Sequence, residues 1–205
     1  MVGGKNGSLV DTMIFAHLNE EKKTADLISI PRDLYYNGRK LNSYPELYGM
    51  EEFRGILEEI TGYKFDKYIV IDMYAFIDVI DLIGGVDVHL DEALVDPTYK
   101  TLDNGVWGTL SYEAGDYHFN GREALRVARS RHTSSDFSRA ERQQKILEAI
   151  QSKAKNLGFG DATTIYSILK TVLAKTETDV SLTDAVRYYF KYQNFQIGSN
   201  HVISS

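Results

Sequence analysis

The sequence contains no cysteine, which excludes disulfide bonds and thiol chemistry. It also lacks any run of about 18 apolar residues, so we expect this stretch of chain neither to span a membrane nor to include a signal peptide. Proline occurs only three times and tryptophan once. The remaining composition, 43% hydrophobic and 25% charged among 205 residues, is typical of a globular domain with a substantial core.

Signatures of several common sites are missing as well. The five histidines are scattered without a His-Glu-x-x-His or similar spacing, so zinc binding is not expected. No Walker-type phosphate loop and no Gly-x-Ser-x-Gly elbow occur, so nucleotide cradling and serine-hydrolase chemistry have no support. The net charge of −6 argues against a nucleic-acid binder, because binding a phosphate backbone requires a broad basic face.

Positive charge is instead concentrated in one stretch. Six of the ten arginines lie between positions 122 and 142, namely Arg122, Arg126, Arg129, Arg131, Arg139 and Arg142. If Arg129 and Arg131 are extended, their spacing directs both guanidinium groups to one face. Arg139 and Gln143 lie one turn apart on the predicted helix that follows. Because arginine binds phosphate oxygens through paired hydrogen bonds, this grouping favours a diphosphate site.

The helix that follows the arginines begins in a way that also suits anions. Ser135, Asp136 or Ser138 can cap it, and its N-terminal amides and dipole attract negative charge. The alternative interpretation is a solvated, basic start of a helix with no ligand. Four arginines, an aspartate and two glutamines in so short a span favour the diphosphate site.

The chain is predicted to begin with an antiparallel hairpin. Residues 9–18 and 25–30 have strand-like patterns, and Pro31 ends the second strand. Asp11, near the start of one strand, and Arg32, at the end of its neighbour, would lie at the same edge. Taken singly, each has a simpler interpretation, a turn aspartate and a surface arginine.

The middle of the chain alternates helices and strands. Residues 34–48 are predicted to form a loop, residues 68–72 a short buried strand and residues 86–90 another strand. Two amphipathic helices are predicted from apolar residues at helical spacing, which are Met50, Phe53, Ile56, Leu57 and Ile60 before Gly62, and Phe76, Ile77, Ile80 and Ile83 before Gly84. This alternation predicts an α/β fold, a three-layer α/β/α sandwich with a central mixed sheet.

The second half is predicted to be mainly helical after an irregular segment. Residues 91–118 are predicted to form a loop and hairpin insertion. The favoured interpretation of Trp107 is ordinary packing within the protein, and the alternative is that it stacks on a sugar ring. Helices are predicted at 120–128, capped by Asn120, at 138–157, at 163–175 and at 181–192, and a strand at 195–205. With no internal repeat or linker, residues 1–205 are predicted to form a single domain.

Several sequence blocks resemble the LytR-CpsA-Psr family of bacterial cell-wall glycopolymer transferases. They are Arg129-x-Arg131 followed by Asp136-x-x-Arg139-x-x-Arg142-Gln143-Gln144, then Asn120-Gly121, Asp11-Thr12-Met13, Ser29-Ile30-Pro31-Arg32-Asp33 and Asp81-Leu82-Ile83-Gly84-Gly85-Val86. The resemblance spans residues 7–157. One block alone would be weak, but their order and mutual spacing make the resemblance specific.

The resemblance implies both a reaction and a set of roles. A sugar hydroxyl of peptidoglycan or of a surface protein would attack a polyprenyl-diphosphate-linked glycan and release polyprenyl phosphate. Arg32, Arg129, Arg131 and Arg139 would bind the diphosphate, Arg142 and Gln143 would support them, Asp11 would hold Mg²⁺, and Asp33 would act as a base or an orienting carboxylate. The alternatives are a polyprenyl-diphosphate phosphatase and a non-catalytic module that binds lipid-linked glycans.

The resemblance also implies segments that this sequence does not include. Family members usually have an N-terminal membrane helix that holds the domain at the extracellular face of the cell membrane. They also have an Asp-Arg motif upstream of the aspartate that matches Asp11, and Arg-Ser just before it, where this chain has Leu9 and Val10. A second metal ligand and one further arginine would therefore lie outside this sequence.

A polyprenyl donor further implies a hydrophobic tunnel. The predicted lining is Phe53, Ile56, Leu57, Ile60, Phe76, Ile77, Ile80, Ile146 and Ile150. The same apolar stripes would equally form an ordinary core, and their periodicity does not distinguish the two.

Overall fold

The computed structural model describes Val10 and residues 12–103, 105–130, 136–156 and 162–202, with side chains at 136–138 and 199–202 left out. The strands are β1 (Met13–Asn19), β2 (Thr24–Ile30), β3 (Tyr35–Tyr36), β4 (Arg39–Lys40), β5 (Ile69–Val70), β6 (Val86–Leu90), β7 (Leu94–Asp103), β8 (Val106–Tyr112), β9 (Gly115–Phe119), β10 (Glu177–Thr178) and β11 (Gln196–Val202). The helices are α1 (Tyr44–Thr61), α2 (Met73–Leu82), α3 (Gly121–Arg129), α4 (Asp136–Asn156), α5 (Ala162–Ala174) and α6 (Leu182–Tyr192).

The chain divides into two compact units. The first unit comprises residues 1–75 and 161–205, and the second comprises residues 76–160. Helices and strands alternate along the chain, which confirms the predicted α/β class. The assignment of residues 1–205 to a single domain stays a prediction. Across the described ranges, no helix combines the length and apolar character that crossing a membrane requires.

A mixed three-stranded sheet forms the centre of the first unit. β1 and β2 pair antiparallel with Met13 opposite Ile30, and β11 pairs parallel to β2 on its other side. The predicted hairpin and the predicted C-terminal strand are therefore both confirmed. Because β2 is central, its last residues are covered, and Ile30 is 5% exposed.

Helix α1 packs on the first unit's core and corrects the predicted loop at 34–48. That segment contains the β3–β4 hairpin, a 3₁₀ turn (Leu41–Ser43) and the start of α1. Pro45 had indicated a loop, but it lies in the first helical turn, where the missing N–H costs nothing. Gly49, with φ 81°, interrupts the helix, and Gly62, with φ 71°, ends it.

Two smaller features complete the first unit. β5 pairs with β10, but Ile69 is 47% exposed, so the predicted buried strand at 68–72 is wrong in its burial and is only two residues long. Helix α6 begins after Ser181, whose hydroxyl accepts a hydrogen bond from the Asp184 amide, as predicted.

The second unit is built around the junction between α2 and α3. Asn120 caps α3, as predicted, and the structure shows that it forms a capping box with Glu123. The N–H of Gly121 donates to the Asp81 carboxylate at 2.7 Å. A Cβ at Gly121 would lie 2.2 Å from the Ile77 carbonyl oxygen, so only glycine allows α3 to begin so close to α2.

Residues 91–118 form three strands, so the predicted loop is wrong apart from its hairpin. β6 pairs with β9, and β7 pairs with β8 as a long two-stranded ribbon. The ribbon's register shifts between Asp96 and Lys100, and this irregularity obscures strand alternation in the sequence. Trp107 is 71% exposed near the turn of the ribbon, so its predicted packing is also wrong.

Candidate active site

The first half of the arginine stretch ends a helix. Arg129 is the last residue of α3 and is exposed, and Ser130 leaves the helix with an extended ψ of 140°. The condition considered for the sequence, an extended conformation at Arg129, is therefore not met, because the chain becomes extended only at Ser130. Arg131 lies outside the described residues.

Arg142 and Gln143 hold the end of α3 from the neighbouring helix α4. The Nε of Arg142 donates to the Val127 carbonyl at 3.1 Å, and its Nη2 donates to the Ser130 carbonyl at 2.6 Å. The Nε2 of Gln143 donates to the Ala128 carbonyl at 3.0 Å. These side chains donate hydrogen bonds to carbonyl groups at the end of α3 that have no partner within the helix. The positive charge of Arg142 is also favourable there, because the C-terminal end of a helix dipole is negative.

Burial lowers the pKa of the Arg142 guanidinium, and the nearby charge of Arg139 lowers it further. Two cations held so close together create a region of positive potential. An anion placed there would relieve the repulsion between them.

A buried carboxylate fixes Ser130 from the other side. Ser130 is fully buried, and its hydroxyl donates to Asp96 Oδ2 at 2.9 Å. The other oxygen of Asp96 accepts from the amide and hydroxyl of Thr98 and from the amide of Tyr99. This network joins β7 to the residue that precedes Arg131. Sequence reasoning missed it, although Asp96-Pro97 is a common start of a turn held by an aspartate side chain.

Arg126 has a structural partner rather than an open binding face. It is 8% exposed, and its two terminal nitrogens donate to the two carboxylate oxygens of Asp103 at 2.9 and 2.7 Å. Hydrogen bonds from Arg126 lower the pKa of Asp103. The six clustered arginines therefore do not form a uniform surface, because Arg126 and Arg142 are committed to contacts within the second unit.

The Arg126–Asp103 pair is expected to make stability depend on acidity. Because the folded pKa of Asp103 is lowered, the pair stabilises the fold above the ordinary aspartate pKa of about 3.9 and ceases to do so as the pH falls through the folded pKa. Asp103→Asn should therefore melt at a lower temperature than the parent near neutral pH. In acid the two melting temperatures should converge, and a constant difference would show that the charge is not the cause.

Helix α4 places the other predicted residues along one face. Arg139 is partly buried, Ile146 is 1% exposed and Ile150 is partly buried. Ser138 lies within the helix, so its predicted role as the cap is wrong. Of the other two candidate caps, Asp136 begins the helix with an undescribed side chain, and Ser135 lies outside the described residues.

Arg32 and Asp33 follow β2 directly in the first unit. Asp33 accepts from Lys40 Nζ at 2.8 Å and lies 3.5 Å from Arg32 Nε. The pKa of Asp33 is lowered, chiefly by the hydrogen bond from Lys40. A carboxylate with a lowered pKa is a weaker base, so this geometry favours the orienting role of Asp33 over the role of general base.

The predicted metal ligand, Asp11, lies outside the described residues. Within the ranges that are described, no group of three or more histidine, cysteine, aspartate or glutamate side chains is placed to hold a metal ion. Asp33 is already engaged by Lys40 and Arg32. These residues do not make a Mg²⁺ site on their own, and the Asp11–Mg²⁺ assignment stays a prediction.

The predicted tunnel residues divide between the two units. In the first unit, Phe53, Ile56 and Leu57 belong to a buried cluster with Met13 and Ile30, and Ile60 packs against it. In the second unit, Phe76, Ile80 and Ile146 are buried, and Ile77 and Ile150 are partly so. The contacts in the first unit are those of a core, and the tunnel lining stays a prediction.

Comparisons with known proteins show the family of this chain. The model of the LytR_cpsA_psr family matches residues 4–203. The chain belongs to this family. It is 28% identical over 203 residues to Bacillus subtilis TagV, named polyisoprenyl-teichoic acid–peptidoglycan teichoic acid transferase, covering 90% of this chain and 48% of that protein. The Bacillus licheniformis TagU transferase is 30% identical over 163 residues, covering 74% of this chain and 50% of that protein.

The fold of this LytR_cpsA_psr chain also matches a solved relative. The crystal structure of B. subtilis TagV superposes with a TM-score of 0.79 at 27% identity, covering 96% of this chain and 77% of that one. The chain spans about half the length of the curated relatives it matches. This chain therefore shares its family and its fold with these relatives.

Proposed function

We propose that this chain is the catalytic domain of a transferase that moves a glycopolymer from a polyprenyl-diphosphate carrier to a hydroxyl of the cell wall. The observation that best supports the proposal is the set of side-chain contacts that hold the C-terminal end of α3. There, the contacts of Arg142, Gln143 and Asp96 hold the residues on both sides of Arg129, and Arg131 comes next in the sequence after Ser130. The two relatives above are named as transferases acting on polyisoprenyl-linked teichoic acid and peptidoglycan, which fits this chemistry.

The proposed reaction forms a phosphodiester. The acceptor oxygen bonds to the glycan-side phosphorus as the bond from that phosphorus to the bridging oxygen breaks. The hydroxyl proton passes to a base or to solvent, and polyprenyl phosphate leaves with the electron pair. Such transfers depend on positioning and on neutralising negative charge, which arginines supply.

The roles divide between binding and positioning. Arg32, Arg129, Arg131 and Arg139 bind phosphate oxygens, Arg142 and Gln143 position the end of α3, and Asp33 orients Arg32. When Mg²⁺ is bound, with Asp11 as a ligand, it would withdraw charge from the diphosphate. The full-length protein would work at the extracellular face of the cell membrane, where carrier and wall meet.

Product analysis tests the proposal. A radiolabelled polyprenyl-diphosphate glycan is incubated with the chain, Mg²⁺ and peptidoglycan fragments, with and without a chelator. Label covalently joined to the acceptor, lost on chelation, is the expected result. Release of free glycan phosphate would instead indicate a phosphatase, and donor binding without turnover would indicate a binding module.

Replacing Arg131 with alanine is expected to weaken donor binding strongly while leaving the fold intact. Arg131 follows the anchored Ser130 in the sequence and is one of the arginines proposed to bind the anion. Losing a charge-assisted contact to phosphate costs roughly 1.5–3 kcal/mol, or about tenfold to a hundredfold in affinity. Titration with the donor and a melting curve measure the two effects. A collapse in stability with unchanged binding per folded molecule would show that Arg131 is structural.

A further inference from the structure

The turn of the β7–β8 ribbon carries apolar side chains that the proposed chemistry does not use. Leu102 is 47% exposed, Val106 is 69% exposed and Trp107 is 71% exposed. In the strand register, Leu102 is opposite Trp107, and Asp103 is opposite Val106. Directly opposed residues share a face, so apolar groups project from both faces of this end of the ribbon. We call Leu102, Val106 and Trp107 the ribbon tip.

Arginines of α3 lie beside this tip. Arg122, Arg126 and Arg129 are four and three residues apart, which aligns them along one stripe of the helix. The bidentate bond between Arg126 and Asp103 fixes the middle of the stripe to the tip and neutralises the tip's carboxylate. Arg122 and Arg129 are exposed on either side of it, and the charge of Arg122 further lowers the pKa of Asp103.

Charge is distributed unevenly along the ribbon. Lys100 is exposed two residues before Leu102, so the end with the tip is cationic. The exposed acidic residues Glu92 and Glu113 flank the other end, where Leu94 pairs with Tyr112. An apolar tip bordered by cations is complementary to a surface that presents anionic groups above an apolar layer.

We propose that the ribbon tip and Arg122 of α3 dock on the surface of an anionic lipid bilayer, with Leu102, Val106 and Trp107 entering its interfacial layer. Tryptophan favours that layer because its ring is largely apolar and its N–H remains hydrated. A sugar-stacking platform needs one aromatic face with polar groups beside it. The tip instead has apolar groups on both faces, and its Asp103 is already engaged by Arg126. Docking does not depend on the transfer reaction.

The chain's single tryptophan makes the test direct, because all indole fluorescence arises at Trp107. The 205-residue chain is titrated with vesicles of phosphatidylcholine, with or without phosphatidylglycerol, and with soluble N-acetylglucosamine oligomers. The expected result is a shift of emission to shorter wavelength with the anionic vesicles only, reversed by high salt. No shift with anionic vesicles would overturn the proposal, as would an equal shift with the oligomers.

Variants that keep the reporter separate the two contributions. Arg122→Gln should weaken partition to anionic vesicles about fivefold, the loss expected for one cation near such a surface. Val106→Ser should weaken partition about threefold or more by removing buried apolar area. Tyr74→Ser is the matched control, since Tyr74 is 79% exposed but lies outside the tip, and it should bind as the parent does. If Arg122→Gln and Val106→Ser both bind anionic vesicles as the parent does, the proposal is overturned.

Discussion

Gly121→Ala is expected to lower the free energy of unfolding by about 3 kcal/mol, the upper part of the usual range for forcing extra volume into a packed site. The added Cβ would lie 2.2 Å from the Ile77 carbonyl oxygen and 2.7 Å from two further backbone atoms of Ile77. Backbone cannot turn aside as a flexible side chain can, so α3 must move. That movement also lengthens the hydrogen bond from the Gly121 N–H to the Asp81 carboxylate. Urea denaturation measures the change.

Gly55→Ala is the matched control for this prediction. Gly55 lies within α1, and a Cβ there would meet nothing within 4 Å. Since alanine is favoured over glycine inside a helix by about 1 kcal/mol, this variant should be as stable as the parent or more stable. If both variants behave alike, crowding against α2 does not determine the requirement for glycine at position 121.

Arg142→Met is expected to lower kcat/KM by about a hundredfold, the cost of a small misplacement of reacting groups. Methionine retains much of the apolar stem but none of the hydrogen bonds to the Val127 and Ser130 carbonyls. The end of α3 would then be held from α4 only by the remaining contacts, such as the hydrogen bond from Gln143 to the Ala128 carbonyl, and the position of Arg129 would be less fixed. Because Arg142 acts through that backbone, donor affinity and turnover should both fall, which steady-state kinetics with the labelled donor measure.

Two comparisons distinguish this positioning role from a general loss of stability. Arg142→Lys keeps a cation and should recover part of the activity, although lysine lacks the planar fork that reaches both carbonyls. Arg187→Met removes an arginine from α6 whose side chain is 65% exposed and should have activity like the parent. If Arg142→Met keeps full activity despite reduced stability, the position of α3's end does not limit the reaction.

The structure gives the clustered arginines different tasks within the second unit. Arg126 binds Asp103 and ties α3 to the ribbon tip. Arg142 binds carbonyls at the end of α3. Arg129 is exposed and so is accessible to a ligand. A scan that removed each arginine in turn would therefore mix structural and binding effects, and Arg126→Ala is expected to report mainly on stability.

The sequence by itself determined the family and most of the secondary structure. Apolar residues at helical spacing before Gly62 and Gly84, and the cap at Asn120, predict helix ends correctly because these signals act between residues close together in the chain. At residues 91–118 the sequence predicted a hairpin but also a loop where strands lie, because the register shift between Asp96 and Lys100 breaks the alternation of β7.

Only the tertiary structure decided which partners the site residues have. Asp96 and Ser130 are 34 residues apart, Asp103 and Arg126 are 23 apart, and Asp81 and Gly121 are 40 apart. Periodicity and capping describe the face or end of one element, and they contain no information about which distant side chain meets it. For that reason the sequence could only predict one diphosphate site from the clustered arginines, while the packing of α3 against its neighbours determined that Arg126 and Arg142 hold the structure and Arg129 remains exposed.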